Sequence, residues 1–211
     1  MHNLTRIVLL RHGQTAWNAE KRIQGQLDIP LDDTGLWQAE RLARALEGEG
    51  IEAIYCSDLL RARQTAAPLA ARLFLVAKTD AALRERAFGR FEGQTYSDIE
   101  ARWPEEALRW RRRELDFAPG GGELLPLFYE RSVQALQALA ARHQGQTLAV
   151  VAHGGVLDCA YRAAARIELL APRSWQLDNA TINRLLWTPE GFSLVGWNDA
   201  GHLDGGPPPP H

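Results

Sequence analysis

Arg11 and His12 stand where an apolar run, "RIVLL" (6–10), stops, and Gly13 follows them. The same ending recurs in "VVAHGG" (150–155), where His153 and two glycines close a second apolar run. Arg61 falls in "SDLLRARQTA" (57–66) and Glu85 in "LRERAFGRFEG" (83–93). Singly, each has an ordinary explanation: a lone histidine is usually a satisfied core or surface residue, and an arginine on a helix is usually solvated. Together they are two guanidiniums, two imidazoles and a carboxylate. At one rim, such a set is costly to desolvate unless an anion neutralises it. The chemistry it offers is the capture of an anionic group.

Whether the set meets depends on the elements that carry it. "TRIVLL" (5–10) is β-branched and apolar, as a buried strand is. "DDTGLWQAERLARAL" (32–46) repeats apolar residues at helical spacing, with Asp32, Asp33 and Thr34 as start signals. "IEAIYCS" (51–57) reads as a strand, 58–73 as a helix with Asp58 near its start and Pro68 as a kink, and "FLVAKT" (74–79) as a third strand. Residues 124–143 form a long amphipathic pattern, "QTLAVVAHGG" (146–155) another strand, and 156–166 a helix. The segments 181–188 and 192–198 pair as a hairpin around Pro189–Gly191. Strands alternating with helices imply an α/β fold, a three-layer α/β/α sandwich with a mostly parallel central sheet. Ligands of such sheets gather beyond the carboxyl ends of the strands, where both histidines fall.

The rest of the chain bounds the answer. In 211 residues, 45% are apolar and 24% charged, ample for one core, and a net charge of −2 gives no global pull toward nucleic acid or membrane. Anion recognition must therefore be local. Cys56 and Cys159 beside apolar stretches read as small buried hydrophobes, not a disulfide framework, and the reducing cytoplasm is the default location. Neither a signal peptide nor a membrane span is present in the sequence pattern. We expect one domain over 1–203 with a helical, lid-like insertion at about 87–123, and a disordered Gly/Pro tail at 204–211.

These four elements, in this order, resemble the histidine phosphatase superfamily, also called the phosphoglycerate mutase-like family. Its R-H-G-x-T-x-x-N stands here as "RHGQTAWN" (11–18), its S-x-x-x-R-A-x-x-T-A as "SDLLRARQTA", its acidic element as "LRERAFGRFEG" and its second histidine as "VVAHGG". The resemblance spans roughly residues 6–160. It implies the phosphoglycerate mutase-like fold and a role for each matching position. His12 would be the nucleophile that carries a phosphohistidine. Arg11, Arg61 and His153 would clamp the phosphoryl oxygens, helped by Asn18, with Gly154 letting backbone N–H groups approach. Glu85 would protonate the leaving alcohol, and Gln24 and Gly25 would line the substrate entrance. No cofactor and no metal are implied.

Physical chemistry agrees with that division. A phosphate monoester carries about −2 charge at neutral pH and repels an anionic attacker, whereas a neutral imidazole does not. Neighbouring cations keep His12 unprotonated, and fixed guanidiniums match phosphate oxygens bidentately. The reaction expected is hydrolysis of a small-molecule phosphate ester. A cofactor-dependent phosphoglycerate mutase is the alternative, because it shares the first half-reaction; a non-catalytic phospho-ligand binding domain is a third reading. "HGG" where mutases carry His-Gly-Asn, a short segment between Glu85 and His153, and "PGGGE" (119–123) favour the phosphatase branch, although Leu124 replaces its serine. Arg112 and Arg113 could imitate the mutases' carboxylate-holding pair.

Other signals have competing readings. His12, His153 and Glu85 could form a metal set, but two arginines beside them would repel a dication. The stretch 102–123, with Trp103, Trp110, Arg109, Arg111, Arg112 and Arg113, reads either as a lid over an anionic leaving group or as a solvated helix face. Nucleic-acid binding there is opposed by nearby glutamates. His2, His143, His202 and His211 are expected in solvent; Trp37, Trp187 and Trp197 are expected in the core. Ile23 and Gln26 depart from the family's Phe and Trp and leave the substrate open, as the sequence also leaves the oligomeric state.

Overall fold

The computed structural model describes residues 4–207. In chain order, the strands are β1 (Thr5–Arg11), β2 (Ala53–Cys56), β3 (Ala77–Thr79), β4 (Thr147–Ala152), β5 (Ile182–Thr188) and β6 (Gly191–Asp199). The helices are α1 (Ala16–Ala19), α2 (Asp33–Ala45), α3 (Leu60–Leu73), α4 (Tyr96–Arg102), α5 (Pro104–Arg111), α6 (Leu125–Arg142) and α7 (Gly154–Ala165).

The strands form one sheet in the order β3-β2-β4-β1-β5-β6. The first four run parallel and the terminal hairpin is antiparallel. Because side chains alternate along a strand, β1 serves both faces. Ile7 and Leu9 enter a core with Leu136 of α6 and Leu157 of α7. Val8 and Leu10 enter a second core with Leu42 of α2 and Ala66 and Leu69 of α3. The sheet is thus covered on both sides, as the sequence pattern implies. Asp32 starts α2 as expected, its Oδ1 accepting the Gly35 N–H at 2.7 Å.

Several boundaries differ from the sequence reading. Phe74 adopts a left-handed conformation (φ 53°) that ends α3, so 74–76 turn the chain and β3 starts only at Ala77; Phe74 is 96% exposed. Helix α3 runs through Pro68 without interruption. Asp58 does not cap it; its carboxylate instead pairs with Arg84 at 2.6 Å. Helix α7 begins at Gly154, two residues early, so the glycines form its first turn directly after His153. His143 and His202 are half-buried rather than solvated, and His143 hydrogen-bonds Tyr55 Oη at 2.9 Å. Trp187 is buried and Trp197 packs on the core, whereas Trp37 is only half-buried. Both cysteines are buried and free. Residues 203–206 make a turn in which the Gly206 N–H donates to the carbonyl of Leu203 at 3.2 Å. His2, His211 and the rest of the expected tail lie outside the described residues.

The 87–123 stretch holds α4 and α5 around its own apolar cluster of Phe91, Ile99, Ala107 and Phe117. Trp103 and Trp110 face inward onto Phe91, with centroids 5.8 and 5.4 Å away. Arg109 pairs with Glu114 and Asp116, and Arg111 with Glu100, so these guanidiniums belong to a solvated, ion-paired face. Arg113 departs from that pattern. Its left-handed backbone (φ 56°) ends the α5 turn and brings its guanidinium within 3.3 Å of Asp158 on α7.

Candidate active site

Strands β1 and β4 are direct neighbours, with Arg11 opposite Ala152. The backbone N–H of His12 donates to Ala152 O at 3.0 Å. The residues that follow each strand therefore emerge side by side, and the rings of His12 and His153 lie 5.2 Å apart. Both are buried. Nδ1 of His12 lies 2.7 Å from the carbonyl of Gly13. A carbonyl only accepts, so Nδ1 carries the proton and Nε2 keeps its lone pair. Burial, then Arg61 and Arg11, push His12 well below its ordinary pKa of 6.5, against the opposing Gly13 bond. Burial, then Arg61 and His12, do the same to His153. Two neutral imidazoles result.

Arg61, in the first turn of α3, is 1% exposed. Its Nη1 and Nη2 donate to the carbonyls of Leu27 and Gly25 at 2.8 and 2.7 Å. Burial lowers its pKa to about 10, with Glu85 and Asp28 opposing, which leaves it charged at neutral pH. Gly25 has φ +51°, and a Cβ there would collide with Oε1 of Glu92, so the loop needs glycine on both counts. Arg11 donates through Nη1 to the carbonyl of Leu177. Among the described residues, Arg11 Nε, Arg61 Nε and both ring nitrogens of His153 have no hydrogen-bond partner. Guanidinium donors buried in this way are stabilised by an anion, whose oxygens satisfy them and the one N–H of a neutral His153 and offset the charge.

Glu85 closes the constellation. Its two oxygens accept the N–H groups of Arg86 at 2.8 Å and Gly155 at 2.9 Å. A Cβ on Gly155 would collide with Oε1 of Glu85, so only glycine lets the carboxylate approach the α7 N-terminus. Arg131 of α6 holds the loop from behind. Its Nη1 donates to the carbonyls of Ala82 at 2.8 Å and Arg84 at 3.0 Å, while Nε and Nη2 grip Glu123 at 2.9 and 2.8 Å.

A cavity of about 380 Å³ opens beside this cluster, with Arg11, Glu85 and Gly154 on its wall and Phe88, Trp110 and Phe128 along its sides. His12, Arg61 and His153 are not on its wall; they sit buried next to Arg11. The structure thus brings together Arg11, His12, Arg61, Glu85, His153 and Gly154, and sets Gly25 against Arg61; Gln24 is buried beside Gly25, and neither lines the cavity. Asn18 is also engaged at the start of α1, where its Oδ1 accepts from the N–H and Oγ of Thr15, both at 3.1 Å, in a capping box.

Sequence reading missed Arg86, Asp158, Arg173 and Asn179. Asn179 donates to the carbonyl of His12 at 3.0 Å, and the other three line the cavity. Asp158 had a signal, since it lies four residues after Gly154 on one helix face. Arg173 and Asn179 sit in an irregular loop that carries none.

The His12, His153 and Glu85 set does not suit a cation. Nδ1 of His12 is a donor, both Glu85 oxygens already accept, and two guanidiniums flank the set. Among the described residues, no cluster of three or more His, Cys, Asp or Glu side chains is placed to hold a metal ion.

Comparison with known proteins identifies the family and the fold. The model of the histidine phosphatase superfamily (branch 1) matches residues 7–200. The chain is 39% identical over 203 residues to phosphoglycerate mutase-like protein 4 of Arabidopsis thaliana, covering 94% of this chain and 86% of that one. It is 36% identical over 203 residues to the metal-independent phosphoserine phosphatase of the same plant, covering 95% and 84%. The solved structure of a mycobacterial glucosyl-3-phosphoglycerate phosphatase with VO3 superposes with a TM-score of 0.83 at 34% identity, over 92% of this chain and 99% of that one. The chain belongs to the histidine phosphatase superfamily, branch 1.

Proposed function

We propose that this protein is a phosphoric monoester hydrolase that acts on small phosphorylated metabolites without a metal, through a phosphohistidine on His12. The observation that carries the reading is the state of His12: neutral, with Nδ1 committed to Gly13 O, so that Nε2 keeps its lone pair within reach of the charges of Arg61 and Arg11. An uncharged nitrogen nucleophile approaches a dianionic ester without repulsion. Arg11, Arg61 and His153 supply the unsatisfied donors that meet the equatorial oxygens as charge spreads over them. Asn18 adds to that clamp, and Gln24 and Gly25 bound the entrance.

Glu85 takes the leaving-group side. It stands on the cavity wall, where it hands a proton to the departing oxygen and, after the alcohol leaves, takes one from water attacking the phosphohistidine. The first turn of α7 presents backbone N–H groups to the same anion.

The mutase reading is less favoured. Arg112 is exposed and does not line the cavity, so Arg113 stands there without the pair that was expected to imitate a mutase. We also propose the organisation expected from sequence, one domain over 1–203 with 87–123 as an insertion, and a cytoplasmic location, supported by two buried cysteines that do not pair in a disulfide. Pairing of Arg109 and Arg111 with carboxylates supports a surface that does not bind nucleic acid. Among the described residues, no helix is long and apolar enough to cross a membrane.

The test is hydrolysis of an aryl phosphate in the presence of chelator, followed by quenching a radiolabelled ester during turnover and mapping the adduct. Turnover lost in His12→Ala, with label on residue 12 in the wild type, is expected. Hydrolysis that proceeds normally without label on His12 would falsify the mechanism, and release of phosphate only to a second substrate would favour the mutase.

A further inference from the structure

The carbonyl that holds Nδ1 of His12 belongs to a glycine. Gly13 is required where it stands, because a Cβ there would lie 2.6 Å from the carbonyl oxygen of Gly35. The same freedom that admits glycine leaves its carbonyl without a fixed direction of its own. That direction sets the ring of His12, and so the aim of Nε2. It must be held from outside.

Asn179, half-buried in the loop between α7 and β5, supplies the hold. Its Nδ2 lies 3.0 Å from the carbonyl oxygen of His12, 3.3 Å from that of Gly13 and 3.3 Å from Oδ1 of Asn18. One amide with two N–H bonds is thus shared among three acceptors, each on a residue at the end of β1 or the start of α1. Nδ1 of His12 and Nδ2 of Asn179 together occupy both lone pairs of Gly13 O. The third contact orients Asn18. Its Oδ1 also accepts from the N–H and Oγ of Thr15, which leaves its amide nitrogen for the phosphoryl clamp.

The loop is itself anchored. Ala180, fully buried, has a left-handed backbone (φ 55°) and donates its N–H to the same His12 carbonyl at 3.2 Å. A non-glycine residue keeps that conformation only where its surroundings over-determine it. Here Asp178 takes Nδ2 of Asn198 on Oδ2 at 2.7 Å and Oγ of Thr181 on its carbonyl at 2.9 Å, while its N–H donates to Oδ1 of Asn198 at 2.8 Å. Arg11 reaches the same loop through the carbonyl of Leu177. Residues 177–181 therefore back the end of β1 from which His12 emerges.

We propose that Asn179 is a positioning residue: it holds the His12–Gly13 backbone so that Nδ1 keeps its proton and Nε2 its aim, and it turns Asn18 with its amide nitrogen toward the phosphoryl group. This role rests on the phosphomonoesterase reading and deepens it. Asn179 is not on the cavity wall, so its effect passes through His12 and Asn18.

The test compares the wild type with Asn179→Ala and with Asn179→Leu, which keeps the approximate shape of asparagine without its donors. Long-range proton–nitrogen correlation NMR, with the His12 ring signals identified by their loss in His12→Ala, reads the tautomer directly. In the wild type, Nδ1 carries the proton and Nε2 does not. In both variants the two nitrogen signals move toward each other as the second tautomer becomes populated, and kcat/KM on an aryl phosphate falls about 10- to 100-fold, as expected for displacement of a reacting group by about 1 Å. Melting temperature is read alongside, since a residue that only braces the loop lowers Tm and leaves the ring unchanged. Wild-type ring signals in a folded variant, or kcat/KM within twofold of wild type, overturn the role while the phosphatase reading stands. If the wild type hydrolyses no phosphate ester, that reading fails instead, and the ring signals alone decide whether Asn179 positions His12.

Discussion

Gly155→Ala adds one methyl group at the place where Glu85 meets α7. Its Cβ would overlap Oε1 of Glu85 and lie 2.9 Å from Cζ of Phe128. Phe128 is 2% exposed in the core between α6 and the sheet, so it has little room to yield. Glu85 borders the cavity and moves. The displaced carboxylate loses the Gly155 N–H bond of 2.9 Å, and a hydrogen bond to a charged group contributes about 1.5–3 kcal/mol. A displacement of about 1 Å in a catalytic group costs on the order of 100-fold in rate. We therefore expect kcat to fall about 10- to 100-fold on an aryl phosphate, with about 1–3 kcal/mol lost in stability from overpacking against Phe128. Steady-state kinetics and thermal melting measure the two separately. The double variant with Glu85→Gln isolates the cause: if the methyl acts through Glu85, the second substitution adds little to the first. A folded Gly155→Ala enzyme with kcat within twofold of wild type would refute the role given to this contact.

Three further outcomes are expected. Arg131→Met removes the grip on Glu123 and on the carbonyls of Ala82 and Arg84; kcat should drop with KM nearly constant, and a proportional change in both would show that Arg131 does not set the position of Glu85. Folded His12 and His153 titrate well below 6.5, whereas the unfolded chain takes up those protons near 6.5. The unfolded state then binds more protons in mild acid, so stability falls as pH drops below 6.5, by up to about 1.4 kcal/mol per histidine per pH unit. Chemical denaturation from pH 7 to 5 should show a gentler slope in His153→Asn, and the acid limb of kcat/KM should lie below 6.5. Phe91→Ala empties the centre of the 87–123 cluster, where Phe91 is fully buried. It should cost about 3–5 kcal/mol and speed hydrogen exchange there first; uniform loss across the sheet would argue against an insertion with its own core.

The chain's local pattern determines a good deal by itself. The unbroken apolar run in β1 dictates two buried faces, and hence layers on both sides of the sheet. The abrupt change from apolar residues to Arg11-His12-Gly13 and His153-Gly154-Gly155 fixes where the polar rim begins. Capping at Asp32 and the helical spacing of 125–142 are likewise readable, because each depends on neighbours within a few positions. Other features depend on chain segments far apart. Pairing of β1 with β4 joins residues about 140 apart in sequence and sets His12 against His153. Their shared neutrality comes from burial among arginines delivered by α3 and β1, an environment no single segment carries. The inward turn of Arg113, the place of Asp158 beside it and the position of Arg173 on the cavity wall follow from how the insertion and the α7–β5 loop close over the sheet. Types and spacing declare an anion site; tertiary packing decides what lies beyond the phosphoryl group, because leaving-group contacts come from elements whose local sequence shows no periodicity.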